Sequence, residues 1–227
     1  MKATDAPDAD VAPTRGARRK SETRRRLLAA ARGVFAREGL EAATIAQITQ
    51  AADVGFGTFY LHFATKEDAY RAVVTEGFDE LARLLTVGRA EAVAAGEPWW
   101  EQVRLGVCAY CHFAERNREL FQVMFAGGAA GIGLGHQLQL RFADLLATQL
   151  GEAAAEARTR DGQPTPYRYP ARMAALATVV TLTRTTLWWL TREADEPDEP
   201  RPTLDEFTAT LAHYITAALW GQTPAER

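Results

Sequence analysis

An all-α fold is expected from three features of the sequence. Apolar residues recur at three- and four-residue spacing in segment after segment, and helix-start signals of the form Thr-x-x-Glu/Gln/Asp appear repeatedly. No stretch alternates polar and apolar residues as a half-buried strand would. The 227 residues, 47% hydrophobic and 24% charged, leave room for a small domain joined to a larger one. No apolar run approaches the roughly 20 residues that cross a bilayer. Met1 to Lys20 lacks a secretory apolar stretch, so a cytoplasmic protein with no membrane partner is expected. Two cysteines, Cys108 and Cys111, do not make a disulfide framework.

The net charge of -3 hides an asymmetry. Residues 1–66 hold eleven cations and seven acids, a charge of +4, and the remaining residues carry -7. Between Ala12 and Arg37 nine cations face one acid, Glu22. A basic head on an acidic body suits a protein that presents one end to a polyanion.

Residues 1–20, rich in Asp, Ala, Pro and Arg, read as a disordered basic arm. From Ser21 the pattern becomes helical through Leu27, Ala31, Val34 and Phe35, and Gly39 stops it. Thr44-Ile45-Ala46-Gln47 is a capping box that opens a short second helix. The turn Asp53-Val54-Gly55 leads to a third short helix ending near Phe63. Thr65 to Asp68 opens a long fourth helix towards Ala95. Pro98 is placed to start a fifth through Val107 and Tyr110, and Leu120 to Phe125 forms a short sixth. Five glycines between Gly127 and Gly135 suggest a flexible connection. They are not a phosphate-binding loop, because no strand precedes them and no Lys-Ser/Thr follows. Helices are then expected from about His136 to Arg158 and from Ala171 to Glu193. An acidic linker, Glu193 to Pro202, precedes a last helix opened by the capping box at Thr203.

A helix held across a short helix, a tight turn and a second short helix is the helix-turn-helix arrangement. Here the residues go further. Thr23 to Ala31, Phe35 to Gly39, Thr44 to Ile48 and Gly57 to Glu67, in this order and spacing, closely resemble the DNA-binding region of the tetracycline-repressor (TetR) family. The resemblance runs from about Ser21 to Val74; beyond that the chain resembles the family only in its layout of helices.

That resemblance implies a homodimeric transcriptional regulator that binds a palindromic double-stranded DNA operator and is released by a small-molecule effector. It divides the chain into the arm at 1–20, a DNA-binding domain at 21–81 with its helix-turn-helix core at 44–63, and a ligand-binding and dimerisation domain at 82–227. Thr44 would bond a phosphate through its hydroxyl and backbone amide. Tyr60, His62 and Lys66 would touch the backbone, and Gly55, Phe56, Gly57 and Thr58 would form the leading edge in the major groove. Arg18, Arg19 and Lys20 could reach an adjacent minor groove. Two residues depart from the family pattern, which has Gly where this chain has Asp53 and Ser or Thr where it has Gly55. Asp accepts left-handed backbone, and Gly is a weaker cap.

Aromatic and polar residues on the middle helices suggest an effector pocket for an apolar or planar molecule: Trp99, Trp100, Tyr110, Phe113, Phe121, Met124, Phe125, Arg141 and Phe142. The apolar stretch Ala174 to Leu190 calls for a partner helix. The dimer interface is therefore placed at Arg184, Leu187, Trp188, Phe207, Leu211 and Tyr214. Cys108-x-x-Cys111-His112 has the form of a haem attachment site, but such a site needs export, so no cofactor and no metal are expected. A thiol-based redox or metal response at Cys108 and Cys111 is the alternative reading of the sensor. Four scattered histidines offer no nucleophile-base pair or ligand set, and the chain is not expected to be an enzyme.

Overall fold

The computed structural model describes residues 14–125, 129–161, 170–192 and 201–220. Among these, nine helices and no strand are present, as the periodicity predicts. The first, α1 (Arg15–Ala42), starts six residues before the expected Ser21. Thr14 caps it by accepting from the amide of Ala17 at 3.2 Å. The basic segment from Arg15 to Lys20 is thus helical rather than an unstructured arm; residues 1–13 of that arm lie outside the described residues. Gly39 breaks the helix near its end with φ 74°, a left-handed conformation that suits glycine.

Three short or long helices follow: α2 (Ile45–Ala51), α3 (Phe56–Tyr60) and α4 (Lys66–Ala94). Thr44 and Gln47 form the predicted capping box at α2, and Thr65 caps α4 by accepting from the Asp68 amide. Next come α5 (Trp99–Arg116), begun after Pro98, and α6 (Arg118–Phe125). The last three are α7 (Ala129–Asp161), α8 (Ala171–Thr191) and α9 (Leu204–Trp220).

The expected glycine connection is helical from Ala129 onward. Gly135 has a packing reason: a Cβ there would stand 3.3 Å from the carbonyl oxygen of Met124, so glycine lets α7 pass close to the end of α6. Gly127 and Gly128, the loop at 162–169 and the linker at 193–200 lie outside the described residues.

One continuous core joins both halves of the chain. The fourth helix is its spine, packing against α1, α5, α6 and α7. The sixth is wedged between α1 and α4. Two features lock that wedge. The buried Tyr70 hydroxyl donates to the Val123 carbonyl at 2.7 Å. At Gly77 a Cβ would come within 2.8 Å of Leu120 Cδ1 and 2.9 Å of Met124 Sδ, so only glycine permits this approach. Elsewhere α7 packs on α8 and α5 on α9, and Trp189 stacks on Phe207 at 5.1 Å.

Candidate nucleic-acid interface and effector cavity

Only Phe59 of α3 is buried, and it anchors the helix in the core. The opposite face is left to solvent, with Phe56 55% and Tyr60 51% exposed beside Gly55 and Gly57, and Thr58 half-buried. The Phe56 and Tyr60 rings meet edge to face at 5.7 Å, one helical turn apart. An exposed aromatic pair on a short helix is surface that asks for a partner.

The turn before α3 is held from outside the motif. Asp53 adopts φ 51°, the left-handed conformation its residue type accepts. Arg26 Nη2 donates to the carbonyls of Ala52 at 2.6 Å and Asp53 at 2.9 Å, and its guanidinium lies 3.5 Å from the Asp53 carboxylate. The long first helix therefore fixes the angle at which α3 projects. Gly55 caps α3 with no side-chain bond, as its lack of a hydroxyl dictates.

Cations flank this face. Arg18, Arg19 and Lys20 are exposed on α1, so a helix rather than a loose arm presents them. Arg24 lies over the Phe63 ring at 4.6 Å. His62 has its pKa lowered, first by partial burial and then by the neighbouring charges of Lys20 and Arg24. Lys20 and Arg24 are thus the cations nearest to His62 in charge effect, beside the end of α3.

Two expected phosphate ligands are engaged otherwise. Lys66 Nζ donates to the carbonyls of Glu41 at 2.7 Å and Ala43 at 2.9 Å, so it ties the start of α4 to the end of α1. Thr44 gives both its amide, at 2.8 Å, and its hydroxyl, at 2.9 Å, to Gln47 Oε1. The amide and hydroxyl of Thr44 are thus both held within the α2 capping box.

The second site is a cavity of about 500 Å3 walled by α4, α5, α7, α8 and α9, within the usual ~300–1,000 Å3 of small-molecule sites. Of the expected liners, Trp99, Tyr110 and Phe142 are there. Phe113, Phe121 and Met124 are instead buried core, filling the contact of α5 and α6 with their neighbours. Trp100, Phe125 and Arg141 also stand outside its walls. Arg141 sits over the Phe78 ring at 4.1 Å and 3.8 Å from Asp79, in a separate open groove. Helical spacing marks an aromatic as inward, but cannot say whether what it meets is space or another side chain.

The cavity is mostly apolar, with Leu84, Leu85, Val103 and Leu182 in its walls. Most of its polar lining gathers towards the turn between α4 and α5: Arg89, Glu91, Glu97 and Gln102. Arg89 crosses to α7, bonding the Gln149 carbonyl at 3.2 Å and Glu152 at 3.1 Å. At the far wall the buried Tyr110 hydroxyl shares a 2.9 Å hydrogen bond with Thr183.

Of the two thiols, Cys111 is buried and Cys108 half-buried. Burial raises both, Cys111 to about 11, which disfavours the thiolate. Among the described residues no group of three His, Cys, Asp or Glu could hold a metal ion.

The outer surface of α8 and α9 differs from its expected composition. Leu187, Phe207 and Leu211 are buried within the chain. Arg184, Trp188 and Tyr214 are exposed. On α8 the exposed positions Met173, Ala177, Val180, Arg184 and Trp188 follow one another at three or four residues and form a single stripe.

The chain thus joins a projecting, cation-flanked helix-turn-helix to an all-helical body with an internal apolar cavity. Residues 27–73, the helix-turn-helix and the first turns of α4, match the family model of bacterial regulatory proteins, tetR family. The whole fold is similar to solved structures at low sequence identity. The fatty acid degradation regulator FadR from Bacillus halodurans is 19% identical, with 88% of this chain and 95% of that one covered at a TM-score of 0.65. A tetR-family regulatory protein from Rhodococcus RHA1 is also 19% identical, covering 87% and 97% at 0.65. FadR from Bacillus subtilis, in complex with stearoyl-CoA, is 15% identical, covering 88% and 99% at 0.62. No curated protein sequence matches the chain.

Proposed function

We propose that the chain is a ligand-responsive repressor that binds a palindromic operator as a homodimer and is released by an amphiphilic effector with an extended apolar part. The observation that carries this reading is the course of α4. Its first turn is tied to the DNA-binding helices by Lys66, and its later turns, at Leu84, Leu85 and Ala92, form one wall of the cavity. A molecule that fits the cavity in one position of α4 only would bias where α3 stands.

Thr44, Gly55, Phe56, Gly57, Thr58, Tyr60 and His62 are read as the DNA-facing set, with Arg18, Arg19 and Lys20 beside it. Phe56 would meet a thymine methyl or the sugar edge. In a dimer the two α3 helices must stand about 34–36 Å apart, or a multiple, to enter successive major grooves. The exposed α8 stripe with Tyr214 of α9 supplies a surface on which a second copy can pack. The apolar cavity with a polar end suits an amphiphile, and the stearoyl-CoA bound by the B. subtilis neighbour is of that class.

The test starts from operator DNA selected from a random pool by the purified protein. Stearoyl-CoA is then titrated against the labelled complex and anisotropy followed. Coupling of roughly 1–3 kcal/mol would weaken DNA binding about 5- to 150-fold. Equal DNA affinity with and without saturating acyl-CoA would sink the effector assignment and leave the DNA-binding role standing.

A further inference from the structure

Among the described residues that line the cavity, Arg89 of α4 is the one cation. Its guanidinium spans to α7, where Nη2 donates to the Gln149 carbonyl at 3.2 Å and Nη1 to the Glu152 carboxylate at 3.1 Å. The two partners differ in kind. Gln149 lines the cavity, and its carbonyl is a fixed acceptor of the helix backbone. Glu152 does not line it, and its side chain is 55% exposed against 21% for Arg89. An ion pair with one partner in water contributes little, so the bond to Glu152 is the weaker tie.

The polar neighbours leave Arg89 as the donor of this end of the cavity. Glu91 and Glu97, both exposed, offer only acceptors when ionised. Gln102 already donates to the Glu97 carbonyl at 2.9 Å. Arginine has more N–H donors than the two bonds to α7 use. They form a rigid planar fork that suits a carboxylate or phosphate with two oxygens side by side. The Gln149 bond holds this fork at the wall, so little side-chain freedom is left for a ligand to freeze. Water screens the charges of Glu91 and Glu97, whereas the charge of Arg89, mostly out of water, acts at closer to full strength.

Resting on the effector reading above, we propose that Arg89 binds the anionic head of the effector in exchange for its bond to Glu152. The ligand and the Glu152 carboxylate then compete for one guanidinium. The class of ligand is an alkyl chain that ends in an anion, either the carboxylate of a fatty acid or a phosphate of an acyl-CoA. An uncharged chain of the same length gains nothing from Arg89.

The experiment titrates stearoyl-CoA, stearate and stearyl alcohol, each below its aggregation limit, into the full chain. Tryptophan fluorescence reports binding, since Trp99 lines the cavity. The variants are Arg89→Gln, Arg89→Lys and Glu152→Gln. Arg89→Gln should weaken anion binding about tenfold or more, the scale of a lost hydrogen bond to a charged group, and leave the alcohol unchanged. Arg89→Lys should restore part of that affinity, since it keeps the charge and loses the fork. Glu152→Gln should act in the opposite direction and tighten anion binding about two- to fivefold, the scale of an exposed ion pair. A merely structural role would not give opposite signs, because both substitutions break the same bridge between α4 and α7. The Glu152 arm also decides the matter if Arg89→Gln does not fold. A loss confined to stearate assigns the carboxylate, one confined to stearoyl-CoA assigns its phosphates, and a loss for both assigns either anion to that place. Wild-type protein that binds none of the three would overturn the effector reading and this inference with it. Wild-type binding with anion affinity unchanged in Arg89→Gln, not raised in Glu152→Gln, or lost equally for the alcohol would overturn the role of Arg89 alone.

Discussion

Lys66 shows how one residue separates two readings of the same motif. Its ammonium is committed to the carbonyls of Glu41 and Ala43, and the second of these residues is buried. Lys66→Ala should therefore cost about 1–3 kcal/mol by stranding an acceptor, seen as a lower denaturation midpoint at constant slope. Unchanged stability with weaker DNA binding would restore a phosphate contact as its main role. Tyr60→Phe should weaken binding to all sequences alike, whereas Thr58→Ala should change the preferred operator; competition between selected sequences separates the two. His62 adds a pH dependence. Its pKa in the free protein lies below the ordinary value of about 6.5, and a phosphate beside it would favour the protonated form. DNA binding then takes up a proton, so affinity should rise as pH falls through the bound-state pKa and level off below the free one. His62→Gln should flatten that slope in anisotropy titrations between pH 5.5 and 8 (values chosen about the ordinary imidazole range).

Among elements, the caps and periods of the N-terminal half were legible because they are local chemistry. Thr44 with Gln47, Thr65 with Asp68 and the left-handed Asp53 sit where their residue types place them. The start of α7 was not. Five glycines read as a connection, and only the approach of α7 to the Met124 carbonyl gives Gly135 its helical reason. Nor could periodicity choose between two inward faces on α8 and α9. Leu187, Phe207 and Leu211 are as apolar as an interface would be, yet they are spent inside the chain. The dimer prediction moves accordingly to the exposed stripe. Val180→Asp with Trp188→Asp should give a monomer by sedimentation with its helical circular dichroism intact. Leu187→Asp should instead unfold the protomer, because it places an unpaired charge in the core. A double variant that stays dimeric would exclude the stripe.

Across the whole molecule, the sixth helix is a second element, beside α4 itself, that links the cavity-lining α4 to α1. It is held to α4 by Tyr70 and by the close contact at Gly77, and it packs on α1. Gly77→Val would force Leu120 and Met124 aside at a cost of about 1–3 kcal/mol, as overpacking does. If α6 transmits the change, the ratio of DNA affinities with and without stearoyl-CoA should fall towards one in this variant, while ligand affinity measured without DNA stays near wild type. An unaltered ratio in a stable Gly77→Val protein would assign transmission to α4 alone. The sequence disclosed the two ends of this path, the reading motif and the aromatic middle helices, but not the wedge between them, which depends on contacts such as that of Tyr70 with Val123, far apart along the chain.

The anchoring of α3 by a single buried side chain has a bearing on how such a protein can change its target. Phe59 and the Arg26 brace hold the helix in place, while Phe56, Gly57 and Tyr60 face outward, Tyr60 touching the core only through the edge of the Phe59 ring. Substitutions at exposed positions of this kind usually move stability by no more than about 0.5 kcal/mol. The face proposed to read DNA is thus an exchangeable part, so a library randomised at these three positions should yield folded proteins almost throughout and differ in what DNA they select.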